Sequence, residues 1–448
     1  MDPKHRSVSD GWARILLCGL LVAVVGGKWG SYIGYSKQNI YLADVAVLIG
    51  ICAALTLAAS GRIQISLGPG SAVFVVLASA FVGYELLSRG QGPLTLRLRD
   101  LTPFLYLLPF PFYRAALHSL TLPRVLRWLD AALLLHAVWA IPALFGVLHP
   151  FSPGFIFGYP VFATRPDIDC PLVFAFAATV ICRRSWPLTL KTLVVVTCAL
   201  PMLRQTSRAA LGAVIISLVV FLWAYRRRIF AKTGVVWALG AFGVLLGAVL
   251  LVGPALPSSL ESGALGRSGL IGDISGAGVV ANGQATASAR FEAWHLMLNY
   301  WHQQGAPLMG LGPGTEIVEE SGALEFLSDD PSVRAPHDWW VNCLVRYGPI
   351  GLALYLGLLA LCLRRERKPT AQAPQDALLF SYALGAALAA GLLVAGSLGV
   401  VIESPFGSYT LALACAMVAI SRPLASVWTP SVQTHSGVAR VPTSAPVG

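Results

Sequence analysis

His337, Arg208 and Arg290 are the side chains in this sequence whose types and settings suit a displacement that expels an anion. Such a reaction needs a group that takes a proton and cations that hold the departing charge. Imidazole titrates close to neutral pH, and a guanidinium offers a planar fork of N–H donors to paired oxygens. His337 stands in Pro336-His337-Asp338-Trp339-Trp340, where an apolar run begins. Pro, His and Asp are costly at such a boundary without a use, whereas Trp339 and Trp340 are the anchors expected at a membrane interface. Asp338 is a candidate to hold the imidazole, and Trp339 is grouped with it as a binding residue. Arg208 follows Gln205-Thr206-Ser207 at the start of another apolar run, and Arg290 falls in the first turn of an expected helix. A cation there opposes the helix dipole, but exposed backbone N–H groups and an arginine together make an anion site. Arg204 and Arg165 are second candidates for the same anion.

Metal chemistry has less support. Asp167-Ile168-Asp169 is a D-x-D that can hold a divalent cation, yet acids at a helix start are expected from the dipole alone. Asp329-Asp330-Pro331 reads as a solvated turn. The eight cysteines lie in or beside apolar segments and form no CxxC pair. They are expected to be small apolar fillers, with no disulfide framework, zinc site, metal or cofactor assigned.

The elements that must position these groups are membrane helices. Of 448 residues, 56% are hydrophobic and 12% charged, with a mean hydropathy of +0.69. A soluble domain carries about 25% charged residues, so most of this surface faces lipid. Apolar runs of about 20 residues, the length that crosses a bilayer, begin near Trp12, Tyr41, Ser71, Leu101, Leu126, Ile168, Leu188, Arg208, Gly234, Trp340, Ala377 and Ser404. The fold class is therefore all-α: a polytopic membrane protein of about twelve spans. The fourth run is the weakest, interrupted by Pro103, Pro109 and Pro111. The polar N-terminus lacks an A-x-A site, so the first run reads as a retained helix rather than a signal peptide.

An even number of spans puts both termini on one side. With that side cytoplasmic, 20 of the 32 basic residues lie inside and 12 outside; restricting the count to short loops removes Arg267, Arg290, Arg334 and Arg346 and leaves 8 outside. The positive-inside rule favours this orientation, and it accounts for the net charge of +11 without a nucleic-acid partner. Arg165, Arg204 and Arg208 remain exceptions, outside at the ends of spans six, seven and eight. An arginine near hydrocarbon costs about 2.5–3.5 kcal/mol on insertion scales, which points to a bound anion.

One connection is large, 254–335, on the outer face. Its first part is rich in Gly and Ser; its second contains an expected helix, 289–304, capped by Ser288. Phe291, Trp294, His295, Leu298 and Trp301 form the stripe expected to face the membrane or the bundle. Gly310-Leu311-Gly312-Pro313-Gly314 reads as a turn, since no strand precedes it. The organisation expected is helices one to nine over 1–253, an extracytoplasmic catalytic loop over 254–339, helices ten to twelve over 340–423, and a disordered cytoplasmic tail over 424–448.

Two segments carry a family resemblance. Gln205-Thr206-Ser207-Arg208-Ala209-Ala210-Leu211 opens span eight, and Pro336-His337-Asp338-Trp339-Trp340 runs on through Leu344-Val345-Arg346-Tyr347-Gly348-Pro349-Ile350-Gly351. Between them lie Ala289-Arg290, Trp294 and Pro307-Leu308-Met309-Gly310-Leu311-Gly312. In this order, around a large outer loop, they resemble the bacterial O-antigen ligase and O-antigen polymerase superfamily over about Arg204 to Leu363. In the ligases the histidine is usually followed by Asn, Ser or Gln; here Asp338 takes that place.

The resemblance implies a GT-C-like glycosyltransferase, working without a metal, in surface polysaccharide or lipopolysaccharide synthesis. It implies a donor glycan on undecaprenyl diphosphate and, as acceptor, lipid A-core in a ligase or another lipid-linked glycan in a polymerase. The site would face the periplasm from the bacterial inner membrane. His337 would take or orient the acceptor proton while Arg208 and Arg290 hold the diphosphate, with Arg165 and Arg204 in support. Glu403, ahead of the last span, is a candidate to touch sugar hydroxyls, although an acid is expected at a helix start. A polymerase for exopolysaccharide or capsule is the near alternative, and a lipid-glycan flippase or transporter the remote one; no repeat of the two halves supports the latter.

Overall fold

Proline and glycine decide where the apolar runs break. The structure, a computed structural model, describes residues 10–35, 40–65, 67, 69–153, 159–183, 185–204, 207–230, 287–327, 333–336, 338–364 and 374–421, and the side chains of Arg204 and Arg208 lie outside what it describes. Helices α1 (Gly11–Ser31), α2 (Leu42–Ala59) and α3 (Pro69–Tyr84, continued as a π turn over Glu85–Arg89) form the first three runs. A two-residue antiparallel pair, β1 (Gly34–Tyr35) with β2 (Ile40–Tyr41), lies between α1 and α2. The fourth expected run is not one helix. It is α4 (Leu94–Asp100), α5 (Thr102–Leu107) and α6 (Phe110–Ser119), with prolines at the starts of α5 and α6, where a missing N–H is tolerated.

Then come α7 (Leu122–Leu144), α8 (Pro166–Arg183), α9 (Leu188–Arg204) and α10 (Arg208–Phe230). In the long loop are α11 (Ala287–Gln303) and two single turns, α12 (Ile317–Glu320) and α13 (Leu324–Leu327). Helices α14 (Trp339–Leu363), α15 (Gln375–Gly396) and α16 (Pro405–Ser421) complete the bundle. Among the described residues, seven helices are long and apolar enough to cross a membrane, and Leu188–Met202 and Pro405–Ser421 are shorter apolar helices. This is a multi-pass, all-helical membrane protein. The run expected from Gly234, the Gly/Ser-rich stretch of the loop, Asp329, Asp330 and the tail lie outside the described residues.

Apolar residues point both ways, as lipid requires. Leu48, Val73, Val76 and Val138 are more than 60% exposed on the outside of the bundle, while α16 is buried along its whole length. Small residues let helices approach closely: a side chain at Gly391 would meet Ser217 and the Ala213 carbonyl, and the Ser217 hydroxyl bonds the Ala387 carbonyl at 2.9 Å.

The loop helix α11 presents a different face from the expected stripe. Ala289, Ala293 and Met297 are its buried residues, packed with Ile317, Val318, Ala323 and Leu327 and with Val345 of α14. Trp294, Leu298 and Trp301 flank that face, whereas Phe291 is 64% exposed and His295 is exposed. Small residues at i and i+4, Ala289 and Ala293, let the single turns α12 and α13 come close, with Met297 completing the face, so aromatic bulk does not mark the inward side. The helix also begins at Ala287, two residues before the expected start, so Ser288 is inside its first turn.

Candidate active site

Helix α14 is broken at Gly348, whose φ of 66° lies in the left-handed region. Pro349 has no N–H to give to the Val345 carbonyl, and the break takes the Ile350 N–H away from that of Arg346. The Gly310–Gly314 turn supplies the missing donors: Leu311 N–H reaches the Val345 carbonyl at 2.9 Å and Gly312 N–H reaches that of Arg346 at 2.8 Å. A side chain at Gly310 or Gly348 would run into the backbone opposite. Arg89 holds the turn from its other side, through the Met309 carbonyl at 2.6 Å and the Gly310 carbonyl at 2.5 Å. The expected turn is thus a splice between the long loop and a membrane helix.

A buried charge cluster lies under this splice. Arg346, 1% exposed, gives Nη1 to Asp100 Oδ2 at 2.7 Å and to the Thr315 carbonyl at 2.9 Å, Nε to Asn342 Oδ1 at 2.9 Å, and Nη2 to the Arg334 carbonyl at 3.0 Å. Asp100 also accepts the Gly314 N–H at 2.7 Å and Arg334 Nη2 at 3.4 Å, and Arg334 reaches Glu316 at 2.8 Å. Both charges of the central pair are thereby hydrogen-bonded, the condition for burying them.

These contacts fix the segment that carries His337. His337 itself lies outside the described residues, but both its neighbours are held. On one side, the Trp294 indole N–H bonds the Pro336 carbonyl at 2.9 Å. On the other, Asp338 Oδ1 accepts the Val341 N–H at 2.9 Å and caps α14. The Asp338 carboxylate is thus engaged with the backbone of its own helix, rather than standing only as a partner for imidazole. Trp339 is no interface anchor: it is 1% exposed and stacks on Trp340, which at 40% exposed is the outer one.

The turn between α15 and α16 gathers the remaining candidates. Arg290 Nη1 bonds the Leu398 carbonyl at 2.9 Å, and Trp340 Nε1 bonds Ser397 Oγ at 2.9 Å. A side chain at Gly399 would lie 2.8 Å from Asp167 Oδ2, so α8 begins against the same turn. Arg165 pairs with Asp167 at 3.5 Å and lies over the Phe406 ring at 5.6 Å. Asp167 also accepts the Ser207 hydroxyl at 2.5 Å, while Ser207 Oγ caps α10 through the Ala210 N–H at 3.2 Å. Arg208 is the next residue, at the start of α10. The structure therefore brings Arg165, Arg290 and the backbone of Arg208 to one turn.

Glu403 ends that turn. Both its carboxylate oxygens are shielded from solvent, and Asn342 of α14 is among the groups that act on them. Burial pushes the carboxyl up to about 7; Asn342 and Arg346 pull it down, while Asp338 and Asp100 push it further up. Burial also raises the Asp338 carboxyl above the usual range, against two backbone N–H groups.

The two carboxylates of the D-x-D diverge. Asp169 turns inward, accepting the Arg165 N–H at 2.5 Å and facing His136 Nε2 at 3.8 Å. His136 and Trp139 reach the Val25 carbonyl, at 3.2 and 2.6 Å, beside the break in α1 at Gly27. Each carboxylate thus serves to hold Arg165.

Asp100, Arg334, Arg346 and Arg89 carry the geometry of this site and were not among the expected site residues. A signal for one existed: Arg346 lies within six residues of the start of an apolar run, where an arginine needs a partner. Residues 193–356 match the O-antigen ligase family, a segment that contains Arg204, Arg208, Arg290, His337 and Asp338. No curated protein matches the chain.

Proposed function

We propose, from the match of residues 193–356 to the O-antigen ligase family, that this membrane protein is a glycosyltransferase-like enzyme that moves a glycan from undecaprenyl diphosphate to a hydroxyl acceptor at the periplasmic face. The acceptor oxygen attacks the anomeric carbon and the bond from that carbon to the diphosphate oxygen breaks. The electron pair leaves with the lipid diphosphate. His337 takes the acceptor proton or orients that hydroxyl. Arg208 and Arg290 bind the diphosphate oxygens as charge develops, and Arg165 and Arg204 add to the same field. Glu403 and Asp338 border the acceptor side, and no metal is assigned a step.

The observation that carries this reading is the bond from Trp294 to the Pro336 carbonyl. Trp294 follows Arg290 by four residues on α11, so the two stand one turn apart, roughly 6 Å along the axis. The helix that bears Arg290 is thereby tied to the residue before His337. The gathering of Arg165, Arg290 and the start of α10 around the α15–α16 turn gives further support.

Deletion of the gene followed by gel analysis of surface glycan tests the reading. Single repeats still attached, without ladder spacing, mean a polymerase. Long unattached chains on the carrier lipid mean a ligase. Unchanged surface glycan and unchanged carrier-linked intermediates would refute both. Transfer by the purified enzyme is expected to persist in EDTA, and its loss there would return the D-x-D to consideration.

A further inference from the structure

At the opposite end of the bundle, the start of α1, the segment after α2 and the end of α6 enclose a cavity of about 320 Å³. Trp12 and Gly26 are 14 residues apart on the unbroken part of α1, about 21 Å at 1.5 Å per residue, and Lys28 follows the break at Gly27. Lys28 bonds the Tyr159 hydroxyl at 2.5 Å, six residues before Arg165. The cavity is therefore remote from the site above, across most of a bilayer's thickness.

Its polar lining is made of donors. Trp12, Gln64, Arg114, His118 and Ser119 line it together with apolar residues, and among the described residues no Asp or Glu does. Trp12 is 3% exposed, and its indole N–H has no hydrogen-bond partner among the described residues, an unmet donor that ordinarily calls for an acceptor. Arg114 and His118 are four residues apart on α6, on one helix face. Both also contact the protein, and a guanidinium's five N–H donors allow it to hold a ligand at the same time.

We infer that this cavity binds a phosphate group, held by Arg114, the Trp12 indole and the Gln64 amide. A cation and neutral donors, with no carboxylate among the described lining residues, match an ion with several acceptor oxygens and no proton to give. The cavity lies at a helix-end level, where phospholipid headgroups sit, and its apolar residues Ile63 and Pro111 suit the glycerol and upper acyl carbons of such a lipid. A free phosphate would satisfy the same donors. The inference goes beyond the reading of the outer site and does not rest on it.

Native mass spectrometry of the full chain, released from nanodiscs of phosphatidylglycerol or of phosphatidylcholine, tests it. A second arm titrates inorganic phosphate into detergent-solubilised protein, with thermal shift as the readout. Wild type is expected to retain a phosphatidylglycerol that Arg114→Gln binds about tenfold more weakly, the loss of one charge-assisted contact. Trp12→Phe, which keeps the ring and deletes only the donor, should weaken it in the same direction and serves if Arg114→Gln does not fold. Stabilisation by inorganic phosphate that is lost in either variant would identify a free anion as the occupant. Equal phosphatidylglycerol retention and equal phosphate response in wild type and both variants would overturn the inference.

Discussion

The indole N–H of Trp294 lies 2.9 Å from the carbonyl oxygen of Pro336 and ties the helix bearing Arg290 to the segment bearing His337. Trp294→Phe keeps most of the ring packing and removes only this bond. A single hydrogen bond is worth about 1 kcal/mol net, but a displacement of about 1 Å at a reacting group costs far more in rate. Glycan transfer should fall at least about tenfold at an unchanged level of protein in the membrane. Wild-type transfer in this variant would mean that the bond does not set the position of His337.

Asp100 neutralises Arg346 and shares Arg334 inside the bundle. Asp100→Ala leaves a buried guanidinium without its counter-ion, and breaking such a pair costs about 3–5 kcal/mol. Thermal unfolding in detergent should show a large drop, and proteolysis of the long loop should accelerate. Glu316→Ala, which removes a partner that is 53% exposed, should change stability by less than about 1 kcal/mol.

Gly348 and Gly212 make a contrasting pair. Gly348→Ala forces a side chain into the left-handed region, about 1–2 kcal/mol, and drives its Cβ onto the Leu308 carbonyl. At Gly212, a Cβ meets only Val394 at 3.6 Å, and alanine is the better helix former. Gly348→Ala should accumulate poorly and lose activity, whereas Gly212→Ala should match or exceed wild type in thermal stability.

Burial raises the Glu403 carboxyl from an ordinary 4.5 to about 7 in the folded protein. Below pH 4.5 both folded and unfolded chains carry this proton, and the group has no effect on the balance. Between pH 4.5 and 7 the unfolded chain releases its proton while the folded one keeps it, so the stability contributed by this group falls as pH rises. Above pH 7 the loss is complete. Glu403→Gln should flatten that part of the stability profile and make the protein relatively more stable at pH 8. A profile that keeps its slope in the variant would show that another group is responsible.

Much of the helical layout was legible because lipid leaves a strong signal: seven long apolar helices coincide with runs seen in the sequence, and prolines marked where the fourth run fragments. Arg165 was singled out by its expected position against the positive-inside bias, and Arg290 by its place in the first turn of the expected loop helix. Three things were hidden. The inward face of α11 is made of Ala289, Ala293 and Met297, so the aromatic stripe misled where close approach at two alanines decided the packing. The pairing of Asp100 with Arg346 spans 246 positions, and no local pattern encodes such a contact. Gly310–Gly314 reads as a bare turn until the broken carbonyls of α14 are seen to need its donors.

The central claim is that an anionic leaving group is held by Arg208 and Arg290 while His337 handles the acceptor proton. Purified protein in proteoliposomes, given a synthetic glycan on undecaprenyl diphosphate and a hydroxyl acceptor, measures this directly. Arg208→Ala, Arg290→Ala and His337→Ala should each lower kcat by about a hundredfold or more, with unfolding temperatures within a few degrees of wild type. Turnover close to wild type in all three folded variants would contradict the account.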